Sequence, residues 1–179
     1  GGGVVQFDHG ELLFHPQEAK TLAQTYANLI LLKDTVDHPL RDYAVQIEYT
    51  TEKQMRSATP NDWEVFWFMG NYQKMSAQKK TANYVIVKPL NGVELGRVFE
   101  DVGQHFLKTD DSTLLPVGER TSLVVVKRGQ HLQIFKNKIQ ILDFEGGQMP
   151  EALYDQAGAL GLYTEDAVVR IHSFAYTAL

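Results

Sequence analysis

The chain has no cysteine. Disulfides, thiolate metal sites and a cysteine nucleophile are excluded together. The compartment is not, because exported bacterial domains and cytosolic ones alike can do without disulfides. Basic residues are neither abundant nor clustered. Seventeen Lys and Arg against 22 Asp and Glu give a formal charge of -5, so the electrostatic footprint of a nucleic-acid binder is missing. No apolar run approaches the roughly eighteen residues of a membrane-spanning helix. The sequence holds no G-x-S-x-G elbow, no G-x-x-x-x-G-K-[ST] phosphate loop and no strand-initial G-x-G-x-x-G. Its histidines, His9, His15, His38, His105, His131 and His172, form no H-x-H or H-E-x-x-H pair, so no zinc site is written into it. No D-x-D-x-D-G calcium loop is present either. No metal is assigned and no cofactor is expected.

What is present is apolar and aromatic. The 44% apolar content over 179 residues suits one domain spanning 1–179 with a real core. Most aromatics lie in short runs with Val and Ile, which favours strands. Period-2 runs bounded by turn residues recur along the chain: Val4 to Phe7, Glu11 to Phe14, Asn28 to Leu32, Tyr43 to Thr50, Trp63 to Gly70, Tyr84 to Lys88, Val93 to Glu100, His105 to Lys108, Ser122 to Lys127, His131 to Lys136, Ile139 to Phe144, Ala159 to Tyr163 and Val168 to Thr177. Tyr43, Val45, Ile47 and Tyr49 alternate with Ala44, Gln46 and Glu48, a half-buried strand. Arg128-Gly129-Gln130 and Asn137-Lys138 are tight connections, so Ser122 to Phe144 reads as a three-strand meander. Pro16 to Ala27 competes as a short helix, with Leu22, Tyr26, Leu29 and Ile30 at helical spacing after a Pro suited to a first turn. The reading is all-β: a two-sheet antiparallel sandwich with at most one short helix. Gly1-Gly2-Gly3, with no Met before it, reads as a trimmed mature end or an expression remnant.

The meander carries the pattern "GERTSLVVVKRGQHLQIFKN", and "GALGLYTEDAVVRIHSFAYT" follows it. On Gly118, Leu123 to Val126, Gly129, Ile134 to Asn137, Gly158, Gly161, Leu162 and Val169 to Phe174, the chain resembles the concanavalin A-like lectin/glucanase superfamily. The resemblance covers the C-terminal third by motif and the rest by strand order. It implies a two-sheet jelly roll that binds or cleaves a polysaccharide or glycan, usually on a concave sheet, and favours an extracellular or periplasmic setting. Some members hold a structural calcium, which scattered Asp carboxylates and backbone carbonyls could supply here without any assigned site. The E-x-D-x-E strand of the glucanases is missing. Its nearest relative, Asp143-Phe144-Glu145, closes a hairpin and reads as a solvated strand end. The superfamily also includes polysaccharide lyases, but no lyase motif is matched.

Candidate site residues come from two stretches. "WEVFWFMG" holds both tryptophans, Trp63 and Trp67. As a strand it puts Trp63, Val65, Trp67 and Met69 on one face and Glu64, Phe66 and Phe68 on the other. Trp63 reads as core. Trp67 is open between core and a platform for the C–H face of a sugar ring. Glu64, set among aromatics, requires a partner, a raised pKa or water, because an unpaired buried charge costs several kcal/mol. The second stretch, "ANYVIVKPLNGVELGRVFEDVGQHFLKT", is a hairpin bearing Tyr84, Lys88, Glu94 and Arg97, with His105 close by in sequence. Lys88 and Arg97 could recognise an acidic sugar, against a plainer reading as a mixed-charge surface.

Three functions follow. In a glycoside hydrolase or polysaccharide lyase, Glu64, Glu94 or His105 would move the proton while Trp67, Tyr84, Lys88 and Arg97 hold substrate. A lectin-like module would use the same groove without an acid/base pair. A protein-interaction sandwich would have no sugar site. The sequence leaves these three, the glycan and the oligomeric state open.

Overall fold

Alternation in Tyr43–Gln54 is expressed directly. Tyr43, Val45, Ile47 and Tyr49 are almost wholly buried, while Gln46 is exposed. The same rule builds the remaining elements of the computed structural model, which describes residues 2–57, 59–76, 79–100 and 103–179, with the backbone alone at Glu100. In chain order these are β1 (Gly3–Asp8), β2 (Glu11–Pro16), β3 (Ala27–Leu31), α1 (Lys33–Asp37), β4 (Tyr43–Gln54), β5 (Phe66–Lys74), β6 (Lys80–Val87) and β7 (Val93–Glu100). They continue as β8 (Gln104–Asp110), β9 (Arg120–Arg128), β10 (His131–Lys136), β11 (Ile139–Glu145), β12 (Ala159–Glu165) and β13 (Ala167–Ala178).

The strands form a seven-stranded sheet, β1-β2-β13-β4-β9-β10-β11, and a six-stranded sheet, β3-β12-β5-β6-β7-β8. All pairings are antiparallel. The meander appears as β9-β10-β11. Between the sheets lies one core, in which Val45, Ile47, Leu123, Val125 and Ile134 of the first sheet meet Phe66, Phe68, Val85, Leu95 and Leu162 of the second. Two-sided burial of this kind fixes the register, because a one-residue slip would turn every inward side chain outward.

The helix that competes for Pro16 to Ala27 is not formed. Pro16 ends β2, Ala27 begins β3, and the chain between them is irregular, with Leu22 exposed. Leu29 and Ile30, which supplied half of the helical spacing, belong to a strand. The connection is tied down from outside: Arg56 donates to the carbonyls of Thr21 (2.7 Å) and Gln24 (3.1 Å). The one α-helix among the described residues is α1, a single turn and a half.

The outer face of the seven-stranded sheet is charged. Arg170 pairs with Glu52 (2.6 Å) and Asp8 (2.8 Å). His172 bonds Glu11 (2.7 Å) and Thr50 (2.9 Å), which makes it part of this polar face. β12 and β13 belong to different sheets and are separated by Asp166 alone, which turns the corner with φ of 46°. Asp is among the few non-glycine residues that take this left-handed conformation readily.

Candidate functional site

Since Phe66 and Phe68 of β5 point at the other sheet, Trp67 and Met69 point away from it. They found a second apolar cluster, with Val65, Ala82, Tyr84 and Ile86 and with Tyr72, Val98 and Tyr163 against it. Cross-strand register arranges this outer face in rows. One runs Leu29, Tyr163, Trp67, Ile86, Glu94 across β3, β12, β5, β6 and β7. The next runs Gly161, Met69, Tyr84, Gly96, Phe106.

Gly96 is required by its neighbour. A Cβ there would stand 2.2 Å from the Tyr84 ring, so the missing side chain lets Tyr84 lie across β7. From that position the Tyr84 hydroxyl donates to Glu94 Oε1 (2.8 Å) while Lys88 Nζ donates to Oε2 (2.7 Å). Burial pushes the Tyr84 phenol far up, and the Glu94 charge adds to this. The phenol is therefore a fixed donor. Trp67 packs its ring 5.0 Å from Tyr84 and 5.6 Å from Tyr163, and its Nε1–H donates to the Trp63 carbonyl (2.8 Å). Trp67 is thus buried floor, and Trp63 stands above it, 46% exposed.

Two adjoining cavities lie over this face. One, of about 380 Å³, is walled by Leu29, Met69, Ala82, Val98 and Tyr163. The other, of about 410 Å³, is walled by Trp63, Lys88, Glu94 and Phe106. Trp67, Gln104 and Glu165 line both, so the two form one groove. Its size fits a small-molecule or short oligosaccharide site. Aromatic faces line the apolar floor, and hydrogen-bonding groups sit on the rim. Such a surface can stack a sugar ring while bonding its hydroxyls.

Of the residues expected from sequence, the structure brings Trp67, Tyr84, Lys88 and Glu94 together here. Tyr84 is wholly covered and acts on Glu94, not on a ligand. Three others are elsewhere. Glu64 is fully buried, with Arg56 Nε 2.5 Å and Asn61 Nδ2 2.8 Å from its Oε1. Its enclosure removes it from proton transfer in the groove. Arg97 opposes Asn83 and His105 in the ladder and so shares the inward parity of Leu95. Both lie on the opposite side of the β7–β8 edge from the groove. Trp63, Phe106, Gln104, Glu165 and Tyr163 were not among the expected site residues. Tyr163 and Glu165 meet Trp67 only through the β5–β12 pairing of segments nearly a hundred residues apart.

Glu165 is the carboxyl of this groove whose titration is displaced by its surroundings. Burial raises its carboxyl above the ordinary value of 4.5, against the Tyr163 hydroxyl that donates to it (2.9 Å); repulsion from Asp166 and Glu64 adds to the rise. With the folded value above the unfolded one, the folded state binds this proton more tightly. The contribution therefore favours folding at low pH and is lost as pH rises from about 4.5 through the folded value. Glu165→Gln should flatten that decline and raise the urea midpoint at pH 7. Superimposable pH profiles of wild type and variant would refute the assignment.

Among the described residues, no group of three or more His, Asp or Glu is placed to hold a metal ion. No helix of the described residues is long and apolar enough to cross a membrane.

No family model matches the sequence, and no curated protein is similar to it by sequence. Solved structures are similar in architecture. A carbohydrate-binding module, CBM66 from Bacillus subtilis, matches over 99% of this chain and 92% of its own, with a TM-score of 0.68 and 12% identity. The chain has the concanavalin A-like jelly-roll fold. The same jelly roll recurs in a Bacillus subtilis protein of unknown function with a galectin-like fold (98% and 86% covered, TM-score 0.62, 11% identity). It recurs again in the VIP36 exoplasmic/lumenal domain in its Ca2+/Man-bound form (99% and 82%, 0.61, 10%). At such identities the likeness is one of fold, and one fold hosts many activities.

Proposed function

We propose that this jelly roll is a glycan-binding module whose site is the groove on the outer face of the six-stranded sheet. The observation that carries the reading is the cavity in which Trp63 and Phe106, both substantially exposed, flank Glu94 and Lys88 over the Trp67 floor. Exposed aromatics beside fixed polar groups suit a sugar, whose ring has an apolar C–H face and a hydroxyl edge. The fold's occurrence in a carbohydrate-binding module and in a Man-bound domain supports it. Binding without turnover is favoured because Glu64, Glu94 and His105 occupy three separate places and form no acid/base pair.

The test is a glycan array together with a panel of neutral and uronic polysaccharides. At least one should bind, with neither reducing-end release nor new double-bond absorbance. Trp63→Ala and Phe106→Ala should each weaken that binding by about 1–2 kcal/mol, roughly tenfold, at unchanged melting temperature. Absence of binding across the panel would end the glycan reading.

A second reading rests on one observation: Glu94 and Glu165 line the same cavity in different environments, one ion-paired and one with its carboxyl pushed up. Such a pair is what acid-assisted glycoside hydrolysis uses. Reducing-end release that disappears in Glu165→Gln would select it.

A further inference from the structure

Among the described residues, each buried cation but one has carboxylates around it. Arg56 has Glu64 and Asp166. Lys127, wholly buried, has Asp155 (2.8 Å) and Asp42 (3.5 Å). The exception is Arg97, which is only 4% exposed. Among the described residues no carboxylate pairs with it. Its Nη1 donates to Met149 Sδ (2.7 Å) and to the Ala152 carbonyl (3.3 Å), and its buried Nε has no partner. Burial pulls its pKa down. A guanidinium stays charged at any working pH, so covering it without a counter-charge costs stability that its two hydrogen bonds and ring contacts do not fully return.

The surroundings point to what returns it. Arg97 faces a cavity of about 210 Å³, walled also by Phe99, Gln104, His105, Met149 and Pro150. The cavity lies across the β7–β8 edge from the glycan groove. The guanidinium is clamped, with its carbon 4.4 Å from the Phe99 ring centre and 5.6 Å from that of Tyr154. The chain just beyond the Met149-Pro150 wall is tied to the rest of the fold. Asn83 bonds both the carbonyl (2.8 Å) and the amide (2.8 Å) of Tyr154, and Gln130 bonds the amide (2.7 Å) and carbonyl (3.1 Å) of Leu153. With Nη1 engaged, the unbonded side of the guanidinium is its Nε–Nη2 edge. That edge presents two parallel N–H groups with the spacing of a carboxylate's two oxygens. Gln104 and His105 can add donors at the rim.

We propose that this cavity binds one carboxylate group, side-on against Arg97. Its volume is below that of sites for drug-sized ligands, so it takes a small acid or the single carboxyl of an acidic sugar residue. The site adjoins the groove at Gln104, but Arg97 and His105 belong to it alone, and its occupant supplies the counter-charge that the fold withholds.

The test is NMR titration of the 15N-labelled protein, followed at the Arg97 Nε–H and at the amide of 105. The probes are sodium acetate, sodium galacturonate, and sodium chloride at matched ionic strength. Acetate and galacturonate shifting these signals to saturation, with chloride inert, supports a site for free small acids. Galacturonate alone doing so supports a sugar-borne acid. No saturable shift with either, or an equal shift with chloride, overturns the proposal. Arg97→Lys keeps the charge and removes the fork, and should weaken binding at least about tenfold; unchanged affinity would also overturn it. His105→Ala, at the rim and outside the groove, tests the same site in a protein whose core is untouched, and should weaken binding. Trp63→Ala should leave these shifts as they are, so failure of the groove reading and failure of this one are read separately.

Discussion

Arg56→Met is expected to lose about 3–5 kcal/mol of folding stability, read as a drop in the urea midpoint at pH 7 with an unchanged slope. The guanidinium, 3% exposed, lies between Glu64 and Asp166, neither of which is accessible. Its Nε reaches Glu64 Oε1, its Nη2 reaches Asp166 Oδ2 (2.8 Å), and its Nη1 holds the Thr21 and Gln24 carbonyls. Asp166 in turn accepts from the Tyr26 amide (2.8 Å) and is the corner at which the chain leaves one sheet for the other. Removing the arginine leaves two dry carboxylates beside one another and unpins the 17–26 connection. The loss arises from stranded charge more than from lost attraction, so neutralising the partners should recover part of it. Adding Glu64→Gln and Asp166→Asn to Arg56→Met should give a protein more stable than Arg56→Met alone, Asn being tolerated at the left-handed φ of 166. A loss below about 1 kcal/mol in the single variant would mean that water reaches these carboxylates.

That cluster also answers why a glutamate stands in the most aromatic segment of the chain. Glu64 needed a partner, a raised pKa or water, and the structure supplies the partner. The requirement was legible in the sequence because it follows from burial alone. The partner was not: Arg56 lies in a polar loop and Asp166 at the far end of the chain. The sandwich itself was legible for a local reason. Tyr43 to Tyr49 and the β9-β10-β11 meander carry their alternation and turns within a few residues, and both sheets grow from such pieces. The Pro16 to Ala27 helix failed for the converse reason, since spacing drawn from Leu29 and Ile30 mixed a loop with the strand that follows. In the β6–β7 hairpin, even-numbered residues oppose even-numbered ones, as Tyr84 opposes Gly96. Lys88 and Glu94 therefore share the groove, and Arg97 turns away with Leu95. The groove's composition needed the β5–β12 pairing, which no local pattern announces.

Trp67→Ala is the other large effect, and its value lies in the contrast with Trp63. Trp67 is buried against Tyr84 and Tyr163 on the outer face of its sheet, outside the main core. Its removal should cost about 3–5 kcal/mol, the range for emptying a buried tryptophan site, and should abolish groove binding because the floor is gone. Trp63, half exposed, should change stability little when truncated and change only binding. Trp67→Phe separates the ring from its N–H. It keeps most of the packing but loses the Nε1–H bond to the Trp63 carbonyl, about 1 kcal/mol in stability. If that bond positions Trp63 for the ligand, glycan affinity should fall in Trp67→Phe by more than the stability loss accounts for, with Phe106→Ala still additive on top. Trp67→Phe binding as tightly as wild type would show that Trp67 supports the sheet and has no part in aiming the tryptophan above it.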